Sequence, residues 1–316
     1  MRYALMTEPQ QGLSYDEILG AARTAEEAGL EAFFRSDHYA SFPGGAGKPT
    51  TDAWATLAGL ARETSTIRLG VLVSPVTFRL PGNLAKVVQT VDEMSGGRVE
   101  AGFGAGWNDD EHAQLGLPFP QLGERFDMLE EQMAIIHGLW TEPDGWSYAG
   151  DRWQVRGSRR HGEIARGGRR HPHVIFGGKG GPRLARLVAR YGDEFNLSPG
   201  SPEAAPEAYG NVRTACADIG RDPDEIVYSA MTGVLVAETE ADLRTRVADL
   251  LDALGQSADD AEAWLADRRQ RWIMGTPEQA FERVRAFEAS GTQRIMLQDF
   301  VPRDLEHIRL MGRILT

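Results

Sequence analysis

Arg98-Val-Glu-Ala-Gly-Phe-Gly-Ala-Gly-Trp-Asn-Asp-Asp-Glu-His112 is the stretch whose reading decides the fold. It opens as a strand, Arg98 to Ala101, with Phe103 still alternating. Gly102, Gly104 and Gly106 then break it around Phe103 and Ala105. Glycine lets a backbone turn sharply and lets a ligand approach it closely. Trp107, Asn108, Asp109, Asp110, Glu111 and His112 follow at once. Apolar strand, glycine turn and polar-aromatic cluster together predict a site at the carboxyl end of a buried strand. The spacing is not the dinucleotide fingerprint, because Trp-Asn-Asp-Asp-Glu is no phosphate-binding helix start. For the glycines alone, an ordinary turn beside a solvated acidic face is the competing reading.

Outward from this stretch, strand and helix alternate. Arg2 to Thr7 reads as a strand, and Ser14-Tyr-Asp-Glu17 as a capping box. The helix it opens carries Ile18, Leu19, Ala22, Ala25 and Ala28 on one face and stops at Gly29. Ala32 to Phe34 is a second strand, ending in Ser36-Asp37-His38-Tyr39. Asp52 caps a helix through Thr64. Ile67 to Val73 is apolar except for Arg68, as strands buried on both faces are. Pro81 to Ser95 is a helix with Leu84, Val87, Val88 and Val91 inward. After the central strand come a long helix (Gly123 to Leu139) and an aromatic, arginine-rich insertion (Asp144 to His173). Strands follow at Val174–Phe176, Glu194–Leu197, Ile226–Val236 and Arg294–Leu297, with helices between them. An extra polar helical piece spans Ala258 to Gln270. Alternation of this kind means a parallel sheet with crossover helices. Eight strands in a chain of 316 residues predict one α/β domain over residues 1–316, a single (β/α)8 TIM barrel. Its insertion lies between strands four and five. The unusual residues gather at the carboxyl ends of strands, where such barrels hold their sites: Asp37, His38, Ser74, Gly104 to Glu111, Gly177 to Gly181, Asn196 and Gln298.

Net charge is −12, which argues against general nucleic-acid binding. No apolar run approaches the roughly 18 residues of a membrane span. Met1 to Thr7 lacks a signal-peptide pattern, and Cys216 is the only cysteine. The expectation is a cytoplasmic protein without disulfides.

Gly177-Gly178-Lys179-Gly180-Gly181-Pro182 precedes a helix. Free amides at a helix start, with room beside the glycines and the charge of Lys179, make an anion cradle. The Lys-Ser/Thr ending of a Walker loop is missing, and a flexible turn is the alternative. His38 is of the type that carries protons near neutral pH. Neighbouring side chains point apart, so Asp37 and His38 need not form a dyad. His161, His171 and His173 precede strand five, at the wrong end of the barrel for a site. Asp109, Asp110, Glu111 and His112 are adjacent, and adjacent residues rarely converge on one ion, so no metal is expected. Arg156, Arg159, Arg160, Arg166, Arg169 and Arg170 read as a solvated loop, or as a holder for a polyanionic cofactor tail.

Several segments follow one another at the spacing of a known family. They include Ser36-Asp37-His38, Leu69 to Arg79, Leu84-Ala-Lys86, Asp92 to Arg98, Gly104-Ala105-Gly106-Trp107, Glu111 and Glu124-Arg125-Phe126. Gly180-Gly181-Pro182, Asp193 to Asn196 and Gly275 to Glu278 continue the pattern. The chain resembles the luciferase-like monooxygenase superfamily, in particular its branch using the deazaflavin coenzyme F420. The resemblance covers nearly the whole chain and weakens in the insertion and around Ala258 to Gln270.

It implies a deazaflavin in the carboxyl-end pocket, with Asp37 and His38 near its ring. Leu72, Val73 and Ser74 would form a bulge with a non-proline cis peptide backing that ring. Gly104, Ala105, Gly106 and Trp107 would line the pocket, and Gly177, Gly178, Gly180 and Gly181 would offer amides to the cofactor phosphate. The sugar-phosphate dehydrogenases of the branch carry a catalytic Glu where this chain has Trp107. That departure implies a flatter, more apolar ligand, with Asp110 or Glu111 placed to supply an acid from one turn later. The implied activity is hydride transfer between F420 and a small-molecule substrate, with His38 delivering the proton, in an enzyme that forms a homodimer. The alternatives are an FMN-dependent monooxygenase using reduced flavin, a non-catalytic flavin-binding barrel and, more remotely, a metal hydrolase.

Overall fold

The computed structural model describes residues 1–42, 47–159 and 170–316. Strands are β1 (Arg2–Thr7), β2 (Ala32–Arg35), β3 (Arg68–Pro75), β4 (Val99–Gly104), β5 (Trp146–Ala149), β6 (Gln154–Ser158), β7 (His173–Gly178), β8 (Glu194–Leu197), β9 (Val227–Val236), β10 (Ile273–Gly275) and β11 (Arg294–Asp299). Helices are α1 (Tyr15–Glu27), α2 (Ala53–Glu63), α3 (Pro81–Ser95), α4 (Asp109–Leu115), α5 (Leu122–Thr141), α6 (Pro182–Tyr191), α7 (Ala205–Asp218), α8 (Glu240–Ala253), α9 (Ala261–Arg269), α10 (Pro277–Ala289) and α11 (Leu305–Leu315).

Among the described residues, eight parallel strands close on themselves in the order β9-β11-β1-β2-β3-β4-β7-β8, and β8 pairs back to β9. The ring of helices is held by the outward apolar side chains of these strands, which form one large core with the helices. The inward faces form a separate apolar cluster that includes Ala4, Met6, Phe34, Leu72, Ile175 and Met296. The expected (β/α)8 barrel is therefore observed. The insertion contributes an antiparallel hairpin, β5–β6, pinned to α5 where Glu131 accepts from the Arg152 and Trp153 amides. Among the described residues, no helix is long and apolar enough to cross a membrane.

Local chemistry explains the element ends. Ser14 and Glu17 make the expected capping box, Asp52 accepts from the Ala55 amide, and Gly96 closes α3 in the left-handed region with φ 73°. The structure differs from expectation in four places. Gly102 and Gly104 lie inside β4, which is buried to its last residue; the turn begins only at Gly106, with φ 78°. β3 continues through Ser74 and Pro75. Val87 is 37% exposed rather than inward. β10, three residues long, pairs with the end of β9 and carries no periodicity that a sequence reading could detect.

Candidate active site

The mouth of the barrel is assembled from the carboxyl ends of its strands. β2 delivers Asp37 and His38 to different partners. The Asp37 carboxylate is buried and accepts from Arg79 Nη1 at 2.5 Å and Nη2 at 3.2 Å and from Ser74 Oγ at 3.1 Å. Trp54 Nε1 donates to the same Ser74 hydroxyl at 2.9 Å. Arg79 also donates to Asp52 and to the Tyr39 hydroxyl, which itself donates to Asp52 at 2.6 Å. Burial, then the charge of Asp37 and the hydrogen bond to Asp52, push the Tyr39 phenol well above its ordinary value. Burial acts to lower the Arg79 guanidinium, but Asp37, Tyr39 and Asp52 outweigh it and hold it above the usual range. Arg79 closes the Leu69 to Arg79 segment that carried the resemblance, but no role was read for it; only the fold brings it between two carboxylates.

His38 Nδ1 meets both carboxylate oxygens of Glu111, at 2.9 and 3.1 Å, and the Tyr39 amide donates to Glu111 Oε2 at 3.1 Å. A carboxylate only accepts, so Nδ1 carries a proton and Nε2 is the nitrogen left to exchange one. Among the described residues, Nε2 has no hydrogen-bond partner. Glu111 is 1% exposed. It sits behind His38, placed to orient the imidazole. His112 turns inward to Thr77 Oγ1 and the Asn108 carbonyl, both at 2.6 Å, while Asp109 and Asp110 face solvent. The four residues therefore do not converge. Trp107 is 64% exposed and stands edge-on to His38 and to Phe42, with ring centroids 5.6 and 5.0 Å apart.

The floor is β3. Its Leu72–Val73 peptide is cis, and the register with β4 shifts between Val71 and Ser74, as the resemblance implied. Val73 then occupies the space that side chains at Gly104 and Gly177 would need: added Cβ atoms there would lie 2.6 and 2.8 Å from its methyl groups. These two glycines make room for Val73, where the sequence suggested room for a ligand. Gly178 and Gly180 are likewise committed, packing against Leu184 and Ala208.

Gly181 differs. It caps α6 without a side-chain cap, Pro182 takes the first helical position, and a Cβ on Gly181 would meet open space. The Gly180, Gly181, Arg183 and Leu184 amides have no acceptor among the described residues. Unpaired amides at an open helix start suit a phosphate, and Lys179 lies exposed beside them. Deeper in, Asn196 donates to Ser229 Oγ at 2.9 Å, while its buried Oδ1 has no partner. These features fit a phosphorylated cofactor with a polar ring edge.

Sequence reading missed Glu8 and Gln10 at the end of β1. Glu8 accepts from Gln298 Nε2 at 2.5 Å and Gln10 Nε2 at 2.6 Å, and Ser36 Oγ donates to Gln10 at 2.6 Å. An acid directly after an apolar strand was the available signal. His173 lies on β7, bonded to Glu194. Of the insertion's basic run, Arg156 donates to Gln154 Oε1 at 3.1 Å, and Arg159 and Arg170 are exposed. Arg160, His161, Arg166 and Arg169 lie outside the described residues.

A family model described as luciferase-like monooxygenase matches residues 1–294. An F420-dependent glucose-6-phosphate dehydrogenase of Amycolatopsis mediterranei is 30% identical over 186 residues, 58% of this chain and 54% of that protein. The chain spans about half the length of the curated relatives it matches. A monooxygenase, RslO1, of Streptomyces bottropensis superposes with a TM-score of 0.81 at 22% identity, over 100% of this chain and 98% of that one. An F420-dependent secondary alcohol dehydrogenase, solved with an F420–acetone adduct, gives 0.79 at 19% identity over 99% and 98%. Both structures share the fold.

Proposed function

The chain belongs to the luciferase-like monooxygenase family, and from that premise we propose that it is an F420-dependent oxidoreductase acting on a small organic substrate. The observation that carries the proposal is His38: one ring nitrogen is fixed by a buried glutamate, and the other has no partner among the described residues at the barrel mouth. The relatives named as F420-dependent dehydrogenases support the choice of cofactor.

When bound, the deazaflavin supplies two-electron chemistry: a hydride passes to an electrophilic substrate carbon and a proton goes to the neighbouring heteroatom, or both return in the oxidising direction. The chain holds and places the reactants. The Gly180, Gly181, Arg183 and Leu184 amides, with Lys179 beside them, would grip the phosphate. Leu72, Val73 and Ser74 would back the ring, with Gly104, Ala105, Gly106 and Trp107 at its side. Asp37 organises the mouth through Arg79. His38 Nε2 holds the proton, and Glu111 keeps the imidazole in the tautomer that can exchange it.

Titrating the purified protein with F420 and with FMN tests the cofactor. Tight F420 binding with weak FMN binding is expected. The reverse would make the protein a reduced-flavin monooxygenase instead. The family's non-catalytic alternative, a flavin-binding barrel, predicts no hydride exchange from the reduced complex with any substrate.

A further inference from the structure

We propose that Trp272, with Phe300 stacked on it, walls the substrate side of the barrel mouth, and that the molecule it selects is a flat, uncharged ring compound. This rests on the functional reading above and names its substrate class.

The placement follows from register. Met6 and Phe34 belong to the inward cluster of the barrel, and directly paired residues of a sheet share a face. Met6 pairs with Phe34 and with Gln298, and Gln298 pairs with Gly233. Gly233 therefore faces the lumen. The indole of Trp272 fills the space its Cβ would need. Trp272 reaches this place from outside the barrel, just after α9. Thr232 Oγ1, on β9, holds the approach by donating to the Arg271 carbonyl at 3.0 Å. The extra helical piece thus delivers an aromatic ring into the mouth.

Phe300 follows β11 and lies nearly parallel to Trp272, with centroids 5.2 Å apart at 12°. Trp264 meets Trp272 edge-on at 5.3 Å and ties it to the small apolar core of α8 and α9. Trp272 and Phe300 are both only partly buried. Trp107, after β4, and Trp272, packed against Gly233 of β9, stand with β7 and β8 between them. Aromatic rings thus border the mouth from two sides.

The charges argue the same way. Arg79 is committed to Asp37, Asp52 and Tyr39. Arg125 donates to the Pro120 carbonyl at 2.6 Å and lies 3.8 Å over the Phe119 ring. A charged substrate finds Arg79 taken up by two carboxylates and Arg125 turned to backbone carbonyls and the Phe119 ring, with only its buried Nε unpaired among the described residues, whereas a flat ring finds aromatic faces and edges.

Calorimetry on the full chain tests this, with naphthol, cyclohexenone and glucose 6-phosphate as probes, each with and without F420. The proteins compared are wild type, Trp272→Ala, Trp272→Phe and Phe300→Ala, each checked for folding by thermal melting. Naphthol should bind wild type more tightly than glucose 6-phosphate. Trp272→Ala should weaken naphthol about tenfold or more, and Trp272→Phe should restore most of that loss. F420 affinity should stay unchanged throughout. Naphthol binding unaffected in folded Trp272→Ala overturns the proposal, as does preference of the wild type for glucose 6-phosphate. If Trp272→Ala does not fold, unchanged naphthol binding in Phe300→Ala overturns it instead. Naphthol binding through Trp272 in a protein that never binds F420 supports the wall and sinks the cofactor reading alone.

Discussion

His38 has two ring nitrogens with separate tasks, and Glu111 decides which is which. Glu111→Gln keeps the shape and an acceptor for the Tyr39 amide, but its amide group can also donate and so no longer fixes the tautomer. The expected result is a fall in kcat of about tenfold to a hundredfold, up to the lower end of full general acid–base contributions because His38 itself stays, with F420 affinity unchanged. An equal loss of turnover and cofactor binding would instead mark Glu111 as part of the cofactor site. His38→Ala should lower turnover further and likewise leave cofactor binding in place. Gly177 tests the floor. Gly177→Ala drives a methyl into Val73, and overpacking of this kind costs about 1–3 kcal/mol, readable by urea denaturation. At this scale the sequence exposed chemistry but not partners. Asp37, His38 and Glu111 stood out as types at strand ends. Their pairings depend on residues dozens of positions away, such as Arg79, whose partners no local pattern shows.

Elements were legible where their ends carry local chemistry. The capping box at Ser14, the cap at Asp52, Pro81 at the start of α3 and Gly96 at its end each have a mechanism that works within a few residues. β10 and the β5–β6 hairpin were not read: β10 is three residues long and buried throughout, and the hairpin is half-exposed and lies outside the strand–helix alternation. The loop before β3 depends on a contact across sequence. Glu26, near the end of α1, accepts from the amides of Ser65, Thr66 and Ile67 at 2.9, 2.5 and 2.9 Å. Burial pushes its carboxyl up, but these amides outweigh that and bring it down to about 2. A depressed carboxyl contributes stability in full above its unfolded value of about 4.3, and loses it as pH falls through the folded value. Glu26→Gln should therefore lower the Tm at neutral pH, and the gap from wild type should shrink between about pH 4 and pH 2. A gap constant across that window would contradict the assignment.

On the scale of the whole molecule, the barrel carries buried ion pairs at both its mouth and its base. At that base, Arg294 is buried against Glu100 at 2.6 Å and Glu194 at 3.1 Å, and His173 bonds Glu194 at 3.0 Å. Arg294→Leu removes the buried cation that Glu100 and Glu194 share and leaves them Arg68 and His173 alone; breaking such buried pairs costs about 3–5 kcal/mol. The sign for His173 is opposite to that for an acid. Burial acts to lower it, but its hydrogen bond to Glu194 and the charges of Glu100, Glu194 and Asp193 raise it above its ordinary value. Its contribution is complete below about 6.5 and disappears as pH rises through the raised value. The stability lost in His173→Asn should thus be larger near pH 6 than near pH 9; urea titrations at both values decide it. Barrel architecture was legible because alternation of strand and helix leaves few topologies. The charged base was not, because Glu100, Glu194 and Arg294 sit in sequence as single charges in otherwise apolar strands. The central claim is that the mouth, and no other surface, takes a phosphorylated deazaflavin. A crystal structure of the protein with F420 measures this directly. The ring should lie against Leu72–Val73 within reach of His38, with the phosphate at the Gly180 and Gly181 amides; cofactor density away from the strand ends would contradict the account.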